Sequence, residues 1–189
     1  MFRAFLTLAT LTLFCSEALA APDEYALQKN ESRVGFTYTL NNDAVSGSMP
    51  VSRADIALDF DQPSNSRINV SVDASKARAG APFAGEALRS QSVLWTDRFP
   101  EIIFQSRDIR RDGQGGAVLT GTLTVRGVAQ PQTFTAQLFR PSGQAAGDRS
   151  ELIVRLRGSL SRSAFGASGY SGFVVDRVDL DIQAKVVAR

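Results

Sequence analysis

The chain has 189 residues, 43% hydrophobic and 21% charged, with 21 Lys and Arg against 19 Asp and Glu, which suits a single globular domain. A net charge of +2, with the basic residues scattered, leaves no footprint for nucleic acid. With no histidine and one cysteine, His-dependent triads, His-ligated zinc or haem, cysteine-rich metal sites and an intrachain disulfide are excluded.

Residues 1–20 read as a secretory signal. Arg3 gives the positive start, Phe5 to Phe14 the apolar run, and Ala18-Leu19-Ala20 the small-x-small pattern that predicts cleavage after Ala20. Ser16 and Glu17 end the run short of the roughly 20 residues a transmembrane helix needs. Cys15 leaves with the signal, and Phe14 before it is not the small residue that precedes a lipidated cysteine. Residues 21–189 are therefore expected to form one exported, thiol-free domain whose stability rests on its core; the lack of disulfides fits the periplasm, the expected location, while the signal alone is equally compatible with secretion.

The rest of the chain alternates apolar and polar residues, the mark of half-buried strands. Val34, Phe36, Tyr38 and Leu40 share a face; Ile56, Leu58 and Phe60 repeat the pattern, as do Ile68, Val70 and Val72. Gly80 to Pro100 interrupts it. Pro82 there predicts the first position of a short helix with Phe83, Ala87 and Leu88 on one side, and Phe99-Pro100 ends the excursion before a strand over Ile102 to Ser106. Leu119, Leu123 and Val125 follow, then Phe134, Ala136 and Leu138, then Leu152, Val154, Leu156 and Leu160. Val178, Leu180, Ile182, Ala184 and Val186 make the last strand. Eight to ten antiparallel strands with one apolar face must curl, sandwich or close, and closure near eight gives an interior either packed or able to hold one ligand. Alternation is compatible with both.

Several stretches resemble the YceI family of exported, lipocalin-like proteins. Val34-x-Phe36-x-Tyr38 with Gly47-x-Met49 is similar to its opening strands, and Val70-x-Val72-Asp73-Ala74-Ser75 to a following stretch. Leu88-Arg89-Ser90, then Phe99-Pro100 and Ile102 to Ser106, keep the family's order and spacing. Gly121-x-Leu123-Thr124-Val125-Arg126-Gly127-Val128 with Gln130-Pro131, Arg162-Ser163-Ala164-Phe165-Gly166, and Val178-x-Leu180-x-Ile182 complete the set. The chain departs from the pattern at Glu31 and Ala87, where the family often has His, at Ala164 in place of Asp, and at Val93-Leu94 in place of an aromatic pair.

The resemblance implies an all-β fold, an eight-stranded antiparallel lipocalin-like barrel with a short helical insertion. It implies a non-catalytic periplasmic carrier holding a polyisoprenoid lipid, such as an isoprenoid quinone or polyprenyl compound, with no other cofactor. Transient contact with the membrane or a membrane b-type cytochrome is a further expectation, and a monomer and a homodimer both fit. The alternative is an envelope stress or interaction protein with a filled barrel. An isoprenoid tail needs a long apolar tunnel, because its binding gains roughly 25 cal/mol per Å² removed from water.

The expected walls are Phe36, Tyr38, Val70, Val72, Phe104, Leu123, Phe134, Leu138, Leu156 and Phe165. Gly47, Gly121, Ala136 and Gly158 are small residues that leave room beside the aromatics. Phe83, Leu88, Leu94, Trp95 and Phe99 form either a lid, with Trp95 at the mouth, or ordinary core. Arg162 either meets a headgroup or pairs with Asp176 or Asp97. Catalysis has little support. Ser168 and Ser171 lack the flanking glycines of a nucleophile elbow, and Asp179 and Asp181 share an exposed strand face.

Overall fold

The computed structural model describes residues 21–189; the signal expected over residues 1–20 lies outside them. The chain forms β1 (Asp23–Leu27), β2 (Arg33–Leu40), β3 (Asp43–Met49), β4 (Val51–Leu58), β5 (Arg67–Asp73), β6 (Arg78–Ala79), α1 (Ala84–Arg89), β7 (Glu101–Arg111), β8 (Ala117–Val125), β9 (Val128–Phe139), β10 (Glu151–Ser161) and β11 (Val174–Ala188).

Eleven segments make eight staves. The order β1-β4-β5-β7-β8-β9-β10-β11 closes on itself because β1 pairs with both β4 and β11, antiparallel throughout. The remaining three prolong staves already in the ring. β2 takes over from β1 along β11, β3 pairs with β2 as β4 pairs with β1, and β6 adds to β3. Pro50 lacks the N–H a ladder needs and marks the break between β3 and β4. Closure leaves no free sheet edge within the ring, where an open sheet of this size would present two.

The two ends differ. At one end Tyr25, Ile56, Leu152 and Val186 form a packed floor, with Tyr25 and Val186 each only 1% exposed. The Tyr25 hydroxyl donates to the Arg149 carbonyl at 2.8 Å, so its polar tip is satisfied. At the other end lie the β2–β3 turn, the insertion between β6 and β7, the β8–β9 turn and the loop from Arg162 to Phe173. The insertion's helix is short, as expected, but starts later than Pro82 predicts. It begins at Ala84, and Phe83 is its N-cap in the left-handed region at φ 59°. Arg89 Nη1 donates to the Ala77 carbonyl at 3.1 Å and ties α1 to the wall beside β6.

Candidate ligand-binding site

Above the floor the barrel is hollow. A cavity of about 530 Å³ runs up the axis, within the roughly 300–1,000 Å³ usual for small-ligand sites. Its wall takes Phe36 and Tyr38 from β2, Val70 and Val72 from β5, Phe104 from β7 and Leu123 from β8. Phe134, Leu156 and Phe165 complete the circuit, and Phe83, Leu88 and Leu94 line it from the insertion. Val70, Leu156, Leu180 and Ile182 face inward yet remain only half-buried. Apolar side chains of a packed core would be fully buried; these border open space.

Glycine keeps that space open. A Cβ at Gly47 would stand 2.2 Å from the Phe36 ring, one at Gly121 2.5 Å from Phe104, and one at Gly158 2.8 Å from Phe134. Each ring thus lies in a notch on the adjoining strand and against the wall, where a side chain at the glycine would drive it toward the axis. Ala136, grouped with these glycines by the sequence, does not border the cavity.

Phe83, Tyr170 and Phe173 both border the cavity and face solvent, at 84%, 52% and 62% exposure, and so mark its mouth. Sequence reasoning missed Tyr170 and Phe173. They sit in or beside a Gly- and Ser-rich run that reads as a flexible loop, and no periodicity points them anywhere. Met49, Ile68 and Leu119 also line the bore; Ile68 and Leu119 were legible only as apolar-face strand positions, and Met49 only within the Gly47-x-Met49 stretch.

Arg162 borders the mouth but is neither of the things expected of it. It is 8% exposed, and among the described residues it forms no salt bridge with Asp176 or Asp97. Its guanidinium instead donates to four main-chain carbonyls: Ala167 at 2.5 Å, Gly169 at 2.7 Å, Val174 at 3.0 Å and Val175 at 3.3 Å. Four of five N–H groups are therefore committed to holding the loop. Asp176 accepts from the Ser161 hydroxyl and, at 2.9 Å, from the Ser163 amide. Those bonds, with the nearby Arg162 charge, hold its carboxyl below the usual range.

Three expected site residues lie elsewhere. Trp95 packs edge-on against Phe99 at 5.7 Å, with Arg98 over both rings. Neither aromatic borders the cavity. Phe99 is held on Gly127 of the β8–β9 turn, where a Cβ would come within 2.8 Å of the ring. Leu138 is 45% exposed and does not border the cavity; it pairs with Val154, which packs against the floor. Asp179 pairs with Arg177 at 2.6 Å on the outer surface, as suits a solvated strand face.

The family model of the YceI-like domain matches residues 25–186. The chain belongs to the YceI-like family. Among its relatives, "Protein YceI" of Salmonella newport is 26% identical over 159 residues, covering 80% of this chain and 82% of that protein. The UPF0312 protein plu2095 of Photorhabdus laumondii is 27% identical over 135 residues, covering 71% and 70%. Two solved structures share the YceI-like fold. BcnA of Burkholderia cenocepacia aligns with a TM-score of 0.74 at 16% identity, over 85% of this chain and 99% of that one. The YCEI protein of Campylobacter jejuni aligns with a TM-score of 0.61 at 14% identity, over 99% of each. The family's barrel, hollow and apolar here, is consistent with binding a hydrophobic ligand.

Proposed function

We propose that this YceI-like protein is a periplasmic carrier that sequesters a polyisoprenoid lipid, a quinone or polyprenyl compound, without changing it chemically. The observation that carries the reading is the shape of the void. It is long, walled by aliphatic and aromatic side chains, closed at Tyr25 and open between Phe83 and Phe173. A tail of linked methyl-branched units gains free energy from every apolar contact along such a bore, and needs few polar groups.

The exposed aromatics at the mouth support a route for the lipid. Tyr and Phe side chains tolerate a boundary that is wet on one side and apolar on the other. Phe83, Tyr170 and Phe173 form such a boundary, and transfer to or from a bilayer would pass across it. The predicted export signal supports the periplasm as the site of action.

The test is native mass spectrometry and organic extraction of the protein purified from the envelope of its own cells. A co-purifying prenyl species of defined mass is the expected result. A bare protein that also stays bare after incubation with prenylated quinones and polyprenols would favour an interaction protein acting through its loops.

A further inference from the structure

Polar side chains on the cavity surface are few, and their hydrogen-bonding states differ. Arg162 is committed to the carbonyls of its own loop. Tyr170 is half exposed at the rim. Tyr38 is different: it is only 9% exposed and borders the cavity, and among the described residues its hydroxyl has no hydrogen-bond partner. Tyr25 at the floor, by contrast, spends its hydroxyl on a carbonyl. Among the described residues the enclosed side-chain polar atom without a partner is Gln144 Oε1, not the Tyr38 oxygen, so the Tyr38 hydroxyl opens on the void and is free to take its partner from a ligand.

The position of Tyr38 is also informative. It pairs with Val45 and Val178, two residues before the end of β2 at Leu40. At about 3.3 Å per residue it stands one short step below the mouth. The apolar bore continues beneath it through Phe36, whose ring stacks with that of Tyr38 at 6.3 Å, down to Leu27. A ligand with its tail on the floor would carry its polar end past the Tyr38 hydroxyl.

We infer that Tyr38 is the group that orients the cargo, donating a hydrogen bond to a neutral oxygen acceptor such as a quinone carbonyl, ester or ether. This rests on the carrier reading and narrows it. The preferred ligand has an oxygen at its mouth-side end; a plain hydrocarbon leaves the phenol unpaired. An ionic diphosphate finds no free array of donors, since the one buried cation at the mouth is turned toward carbonyls. Burial also raises the Tyr38 pKa, so the phenol stays protonated and able to donate at neutral pH.

The test uses the purified, delipidated full domain and three probes: a prenylated benzoquinone, squalene and geranylgeranyl diphosphate. Tyr38→Phe removes one oxygen and keeps the ring, so thermal unfolding of the empty protein is expected to be unchanged. Affinity for the quinone is expected to fall about tenfold, the scale of one hydrogen bond, while squalene binding stays the same. In the infrared, the bound quinone carbonyl band should lie at lower frequency in the natural protein than in the variant. Equal loss for quinone and squalene, or no loss for either, would overturn the role of Tyr38 while leaving the carrier reading standing. Tighter binding of the diphosphate than of the quinone would overturn the neutral-ligand assignment. Failure of every probe to bind the natural protein would overturn the carrier reading, and this inference with it.

Discussion

Arg162 shows how a residue type can be legible and its task not. A guanidinium near an apolar mouth suggests an anion or a carboxylate partner, and both were natural readings of the sequence. The fold gives it neither. The loop from Arg162 to Val175 leaves several carbonyls turned inward, and the planar fork satisfies four of them at once. Arg162→Met is therefore expected to destabilise the empty protein by about 2–4 kcal/mol, measured by urea unfolding, because it orphans those acceptors. An arginine serving only a ligand would leave the empty protein unmoved. Asp176 supports the same loop from outside. Its folded-state pKa is depressed by bonds from Ser161 and Ser163, so its stabilisation is present above the unfolded carboxylate range and is lost as pH falls through the folded value. Asp176→Asn should lower stability near neutral pH and flatten the acid limb of the stability curve, followed by unfolding at about pH 3 to 7.

At the scale of elements, alternation identified the inward faces wherever a strand kept its period. Phe36, Tyr38 and Leu40, or Val178, Leu180 and Ile182, could be placed without a structure, and all border the bore. It failed where the period slips. β7 was expected to end at Ser106 but continues to Arg111, because an irregularity between Ser106 and Asp108 shifts the register and brings Ile109 inward instead. An extra residue reverses the parity of everything after it. The insertion was visible as a break in the pattern, yet the destinations of Trp95 and Phe99 depend on a turn some thirty residues later, and no local spacing reports that. The glycine notches belong to this scale too. Gly47→Ala is expected to destabilise by roughly 1–3 kcal/mol through overpacking. Phe36→Leu should restore part of it in a double-mutant cycle, but not all, because the Arg78 carbonyl also lies 2.6 Å from the added carbon. At the mouth, Phe83→Ala combined with Phe173→Ala should leave stability within about 0.5 kcal/mol. It should slow transfer of a prenylated quinone from liposomes, read in a stopped-flow transfer assay.

For the whole molecule, alternation left eight to ten strands free to sandwich or close; the eight-stranded barrel followed from the family resemblance, and neither told whether it was filled. That distinction depends on where each ring lies relative to the axis, a matter of notches and registers rather than of composition. The void makes an opposite-signed prediction from a packed core. Val70→Phe adds volume to the wall of a hollow bore, so stability should hold or rise while quinone binding is lost; in a filled barrel the same change costs about 1–3 kcal/mol. The most direct measurement is a crystal structure of the protein loaded with a prenylated benzoquinone. Continuous ligand density is expected from the gap between Phe83 and Phe173, past the Tyr38 hydroxyl, to Leu27 above the Tyr25 floor. A barrel whose own side chains have closed the axis, with the quinone absent or stranded on the outer surface, would contradict the account.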